Sequence, residues 1–272
     1  MKTKTKLEMF ANEIGCIKND NLQSFAKILI ANADDYFFTV PASSSGRYHP
    51  SFSLGDGGLV RHTQCVVYWA ICQAESLNFN DEDTDLLIIA ALMHDIKKQG
   101  NNEGSTVREH PLLAADYVMD VFENNIQLNL ITIDQVIKIC DAVRSHMGKW
   151  EYLPQYTRGK EPYPMPSNDF EKALQSADYI ASRKAVLEFD FSQTQIRAKQ
   201  ILKEKKEINI NVDAYTLQDL EVIQLPFGKH KGKMFKEVLE TGYLDWMTEQ
   251  TNFSYKTEQR LAKRYLELVQ GS

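Results

Sequence analysis

Leu86-Leu87-Ile88-Ile89-Ala90-Ala91-Leu92-Met93-His94-Asp95 is the stretch that decides the fold. Eight consecutive apolar residues sit inside a helix expected from about Asp83 to Lys98. A helix that is apolar all round is a central, buried one. The run is far too short to span a bilayer, which takes about 20 residues. It ends in His94-Asp95, so that pair points into the interior. A buried carboxylate is costly unless it is paired or bound to a metal.

Working outward, residues of the same kind recur on other apolar stripes. After Gly57-Gly58 a helix is expected from about Leu59 to Leu77, with Val66, Val67, Ala70, Ile71 and Ala74 on one face and His62 near its start. His110-Pro111 opens a third helix, because proline suits a first turn. Over 132–147 the apolar face runs Val136, Ile139 or Cys140, Val143, and His146 takes the next position. Over 168–186 it runs Phe170, Leu174, Ala177 and Ala181, with Asp178 four residues after Leu174. A lone histidine on such a face is ordinarily bonded to a carbonyl, and a lone aspartate is a cap or an ion-pair partner. Six such residues on five helical segments point instead to one metal centre. Imidazole and carboxylate without thiolate suit Fe, Mn, Zn, Co or Ni. The set exceeds what one structural ion needs, and two metals separated by roughly 4 Å would account for it.

Residues 7–40 read as helical, and no alternating strand pattern occurs before residue 205. The expected architecture is therefore an all-α domain over 1–195, a charged connector over 196–215, and a small α+β domain over 216–272. The last comprises an extended segment, a turn through Gly228 and Gly232, and two amphipathic helices. Pro41 to Pro50 is a hydroxyl-rich loop. Residues 148–167 carry four prolines and four aromatics beside Lys149, Arg158 and Lys160, which suits either a lid or a mobile insertion.

With 272 residues, 43% of them hydrophobic and 25% charged, the composition is that of an ordinary soluble protein. The net charge of −6 provides no global basic field, so a nucleic-acid ligand would need a local patch. The basic N-terminus is followed by no signal-like apolar stretch. Cys16, Cys65, Cys72 and Cys140 form no C-x-x-C pair and read as free thiols in a reducing compartment. The expected location is cytoplasmic, away from membranes, with the oligomeric state open.

The ordered series His62, His94-Asp95, His110, His146, Asp178 resembles the HD superfamily of metal-dependent phosphohydrolases over about residues 40–190. That resemblance implies an HD-type helical bundle with a dinuclear centre. His62, His94, Asp95 and Asp178 would match the first metal's ligands. His110 and His146 would match the second's, with Asp95 bridging. Lys98 matches a lysine that meets substrate phosphate, while Lys97 stands where many relatives have glycine. The runs Gly57–Thr63 and Ser145–Gly148 look like the branch containing 3′-to-5′ exoribonucleases, although Met147 replaces that branch's second histidine. Leu225–Lys236 with Tyr243–Trp246 is similar to the short C-terminal domain of some bacterial exodeoxyribonucleases. There Lys229, Lys231, Lys233, Lys236 and His230 form a cationic patch beside Phe227, Phe235 and Trp246. Equally, the rings could be a small core and the lysines a solvated edge.

The expected activity is phosphodiester cleavage at nucleic acid ends or in oligonucleotides, with Asp95 and Lys98 as catalytic residues and two divalent ions (Mn, Fe, Ni, Co or Zn). Substrate contacts are expected from Ser45, Arg47, His49, Arg61, Arg144 and Arg158. Arg61 could instead pair with a surface acid, and the Ser43–His49 loop could be a solvated turn. The expected partner is a nucleotide or a single-stranded nucleic acid. The alternatives are a nucleotide phosphohydrolase or cyclic-nucleotide phosphodiesterase, and a non-catalytic metal-containing nucleotide sensor.

Overall fold

Asn19 breaks the single helix expected over residues 7–40. Its side chain accepts from the backbone N–H groups of Asn21 and Leu22, satisfying two donors that a helix start leaves unpaired. The segment therefore forms α1 (Thr3–Met9), α2 (Ala11–Gly15) and α3 (Asp20–Asn32). The computed structural model describes the whole chain except residues 44, 45, 47, 48, 102, 103, 149–162, 187, 209–211, 226, 251–255, 271 and 272.

α4 spans Gly58–Ser76 and follows Gly57, whose φ of +68° is the left-handed value that glycine tolerates. A Cβ on Gly58 would overlap the Ser53 carbonyl oxygen, so the helix can start this close to the loop only without a side chain. α5 spans Asp81–Met93, capped by Asn80 and with Asp81, Glu82 and Asp83 in its first turn, where the helix dipole favours acids. It stops five residues before the expected end. Beyond it the chain tightens into i→i−3 bonds: Ile96 N–H to Met93 O at 3.0 Å, Lys98 N–H to Asp95 O at 3.0 Å, and Gly100 N–H to Lys97 O at 2.7 Å. Lys97, which stands where many members of the resembled family have glycine, is not left-handed, so its side chain costs the turn nothing; it reaches Asp34 at 2.7 Å.

α6 (His110–Asn124), α7 (Ile133–Ser145) and α8 (Asp169–Ala181) complete the bundle, α8 ending at Ala181 rather than at residue 186. α4 packs on α8 and α5, and α7 packs on α6, α5 and α8. α5 is the hub: Leu86 to Met93 are all buried, each large side chain contributing roughly 1.5–3 kcal/mol of gross hydrophobic stabilisation.

The chain divides into two compact units, Met1–Lys199 and Gln200–Ser272. The charged stretch expected as a connector carries α9 (Ser192–Ile208). The second unit holds α10 (Leu217–Glu221), α11 (Phe235–Val238), α12 (Tyr243–Glu249) and α13 (Lys256–Gln270) around Leu225, Phe235, Leu244, Met247 and Tyr265. Here the expected α+β character needs correcting. Among the described residues the only strand-like pairing is an isolated bridge between Gln224 and Met234. Between them Gly228 and Gly232 both take positive φ, so the chain turns sharply there without growing into strands. No helix among the described residues is long and apolar enough to cross a membrane.

Candidate metal centre

The last-turn carbonyls of a helix lack intrahelical partners. At two helix ends here a histidine side chain meets one of them. His94 caps α5, and its Nδ1 lies 2.7 Å from Ala91 O; His146 caps α7, and its Nδ1 lies 2.6 Å from Val143 O. His110, at the start of α6, does the same with Val107 O at 2.9 Å in the preceding turn. A carbonyl only accepts, so each Nδ1 carries the hydrogen and each Nε2 keeps its lone pair. Histidine metal ligands are commonly oriented in this way.

Those Nε2 atoms converge on two carboxylates. His62 Nε2 is 3.1 Å from Asp178 Oδ1, 3.4 Å from His94 Nε2 and 3.8 Å from Asp95 Oδ2. His94 Nε2 is 3.4 Å from Asp95 Oδ2 and 3.9 Å from Asp178 Oδ1. The other oxygen of Asp95 faces elsewhere: Oδ1 is 3.1 Å from His110 Nε2 and 3.9 Å from His146 Nε2. Asp95 thus stands between two pairs of imidazoles, one oxygen to each. Asp95 Oδ1, His110 Nε2 and His146 Nε2 are all buried yet lack a properly directed hydrogen bond. Such orphans cost about 1–3 kcal/mol each. A cation would satisfy them together. Two ligand atoms about 2.1 Å from one ion lie roughly 3.0 Å apart at 90° and 3.4 Å apart at the tetrahedral angle. The short edges within both groups match that spacing, so the residues fit metal ions.

Residues 59–183 match the HD domain family. The match starts three residues before His62 and ends five after Asp178, so it encloses all six residues of the expected series. It supports the HD superfamily for this segment and metal-dependent phosphohydrolase chemistry in general; HD domains bind divalent metals. It lies wholly in the first unit and does not confirm the exodeoxyribonuclease-like C-terminus. No curated protein and no solved structure matched the chain.

The electrostatics of the HD segment follow from burial and mutual charge. Burial opposes ionisation of Asp95, but Lys98, His94 and His110 outweigh it and hold the carboxyl well below its usual range. Asp178 is lowered in the same way, against burial, by His62 and His94. Burial lowers His62, partly offset by Asp178, and takes His146 down to about 3 with help from the charges of His94 and His110. For His94 burial also pulls downward, yet Asp95 and Asp178 prevail and its pKa is raised.

The remaining expected residues fall into three sets. Lys98 and His49 are at the centre. Lys98 Nζ donates to Asp95 Oδ2 at 2.6 Å, and the His49 ring lies edge-on to His62 with centroids 5.4 Å apart. His49 Nδ1 is buried without a partner, and burial, then the charges of His62 and Lys98, pushes its pKa down to about 4. Arg61 and Arg144 are engaged elsewhere: Arg61 donates to the Phe52 and Leu54 carbonyls, while Arg144 lies near Asp141 (3.3 Å) and Asp116 (3.8 Å). Ser45, Arg47 and Arg158 lie outside the described residues, as does most of the lid-like segment. The ends of that segment are described. A Cβ on Gly148 would overlap the Pro164 carbonyl, so the chain leaves and returns at one place. Tyr163 is buried and donates to Arg108 O at 2.8 Å, close before His110.

Sequence reasoning missed Tyr36. Its hydroxyl donates to Gly100 O at 3.0 Å and accepts from Gln99 N–H at 3.3 Å, clamping the turn that carries Asp95 and Lys98. Its only signal was an aromatic in an apolar run, which core packing explains equally well.

Proposed function

We propose that this chain is a metal-dependent phosphodiesterase acting on nucleic acid ends or oligonucleotides. The observation that carries the reading is the divided carboxylate of Asp95, one oxygen toward His62 and His94 and the other toward His110 and His146. In this reading His62, His94, Asp95 and Asp178 would hold one divalent ion, and His110, His146 and Asp95 a second. Bound there, divalent ions (Mn, Fe, Ni, Co or Zn) supply Lewis acidity toward phosphate oxygens and a nucleophile at neutral pH.

The protein's own groups do the rest. The three carbonyl-tethered imidazoles stay aimed, so little reorganisation accompanies reaction. Lys98, anchored on Asp95 and with a side chain 14% exposed, has further protons for a phosphoryl oxygen as charge develops there. His49, uncharged at neutral pH, offers a ring nitrogen to the sugar or leaving group instead of a cation. Arg61 holds the 52–54 loop against α4 and thereby keeps His49 and His62 in register.

The test is turnover by purified protein with each divalent metal on labelled single-stranded RNA, single-stranded DNA and a nucleotide panel. Release of mononucleotides from an oligonucleotide is the expected result. Inorganic phosphate from nucleotides alone would replace this reading with a nucleotide phosphohydrolase. No turnover with any metal would leave a sensor.

A further inference from the structure

The second unit has a cleft of about 460 Å³, lined by Gly228, Lys229, Thr241, Gly242, Tyr243 and Trp246. That volume falls within the range of about 300–1,000 Å³ usual for ligand sites. None of the lining residues is acidic. The nearest acids along the chain are Glu240 and Asp245, which do not line the cleft, and Glu237, whose carboxylate is taken up by the Met234 N–H at 2.6 Å.

Two features of this cleft give it binding character. Tyr243, Leu244 and Met247 supply the buried face of α12, whereas Trp246 keeps 46% of its surface exposed. Its ring lies 5.3 Å from that of Tyr243 at an interplanar angle of 30°, and the His230 ring packs on Tyr243 at 4.7 Å. Trp246 is thus a half-exposed aromatic beside the Tyr243 ring. Secondly, Lys229, Lys231 and Lys233 are exposed on a turn fixed by its own backbone bonds, Gly232 N–H to Leu225 O at 2.7 Å, Leu225 N–H to Lys233 O at 2.9 Å and Lys231 N–H to Gly228 O at 3.1 Å, and Lys236 is exposed in the first turn of α11 just after it. Gly228 takes a φ of +69°, and a Cβ there would overlap the Tyr243 hydroxyl, so the turn can close onto the aromatic base only as glycine. Lys229 Nζ comes within 5.8 Å of the Tyr243 ring centre. In a chain of net charge −6 this is a local concentration of cations along the sequence, and its first member, Lys229, lines the cleft with Trp246.

We infer that this cleft binds single-stranded nucleic acid, with a base stacked on Trp246 and the neighbouring phosphates met by Lys229 and by Lys231 and Lys233 of the adjoining turn. Stacking on an aromatic and cations tracking a backbone are the two elements of sequence-tolerant single-strand binding. The inference rests on the phosphodiesterase reading only in naming the substrate class; the site is argued from the second unit alone.

The test uses the full chain in EDTA, where turnover is blocked, with a fluorescein-labelled 15-mer of thymidylate followed by anisotropy and a labelled heparin fragment as a polyanion without bases. Trp246→Ala should weaken oligonucleotide binding roughly 5- to 100-fold, the range that loss of one stacked base gives, and Trp246→Phe should recover most of it. Lys229→Glu should weaken both probes and flatten the salt dependence. Trp246→Ala should leave heparin binding unchanged and the melting temperature within a few degrees. The inference is overturned if the oligonucleotide does not bind, if Trp246→Ala binds it as the wild type does, or if that variant loses heparin equally. Hydrolysis assays separate the two readings: binding without turnover in metal would sink the proposed activity and leave the cleft. Turnover with binding insensitive to Trp246 and Lys229 would do the reverse.

Discussion

Asp95→Asn keeps the shape of the central side chain and removes its charge. The wild-type carboxylate is 2% exposed, holds Lys98 Nζ at 2.6 Å, and lies within 3.1–3.9 Å of four imidazoles. Removing one partner of a buried pair costs about 3–5 kcal/mol. Lys98 can turn toward water, which brings the expected loss in metal-free protein down to about 2 kcal/mol. The larger contrast comes with metal. An ion at 100 times its Kd stabilises the wild type by about 2.7 kcal/mol, worth roughly 5–10 °C in Tm for a domain of this size. Asparagine offers a neutral oxygen to one side and an N–H to the other, so the variant should gain less than about 2 °C. Melting curves in EDTA and in Mn(II), with elemental analysis of the dialysed protein, measure both quantities. If Asp95→Asn melts with the same metal-induced gain and keeps the wild-type metal content, the assignment of Asp95 as the shared ligand is wrong.

Gly58→Ala should destabilise by about 1–3 kcal/mol through overpacking against the Ser53 carbonyl; a urea midpoint equal to that of the wild type would contradict the tight start of α4. Burial pushes the thiols of Cys16, Cys65 and Cys140 up to about 12, so in native protein at pH 8 they should react with a thiol reagent far more slowly than in denaturant, and part-exposed Cys72 should react first. Uniformly fast labelling of four thiols would oppose this. In metal-free protein His49, His62 and His146 resist protonation when folded yet charge in the unfolded chain below about 6.5, so stability should fall as pH drops from 7 to 5. His94, with a raised pKa, acts in the opposite sense: its contribution is present below about 6.5 and lost as pH rises through its folded value. The net uptake of about two protons on unfolding amounts to at most roughly 2–3 kcal/mol per pH unit, and a Tm that is flat or rises between pH 7 and 5 in EDTA would refute the balance.

The centre was legible because its members stood where a plain core would carry aliphatics. His146 follows Val143 on the buried face of α7, and Asp178 follows Leu174 on α8. The apolar run of α5 fixed that helix as central on hydrophobicity alone. Boundaries were less legible. Nothing in Ile96-Lys97-Lys98 breaks a helix by propensity, yet α5 ends at Met93 because the next turn is held from outside by Tyr36 and Asp34, some sixty residues earlier. The breaks around Phe10 and Asn19 lay hidden for a related reason, since the Lys18 and Asn19 N–H groups are taken by the Asp85 carboxylate on a different helix. Lys98 was expected to meet phosphate, and its contact with Asp95, which depends on the same externally held turn, was not foreseen.

The carbonyl tethers of His94, His110 and His146 have a consequence for how the centre tolerates change. A carboxylate in that position would bring its own titration and could be lost by a single substitution. A backbone oxygen has no ionisation in the working range and cannot be mutated away. The aim of these three rings is therefore set by where their local turns end and is independent of the identity of any neighbouring side chain. Divergence around the centre can alter what enters it while the directions of three imidazole lone pairs stay fixed, and only changes that lengthen α5 or α7, or reshape the turn before α6, would move them.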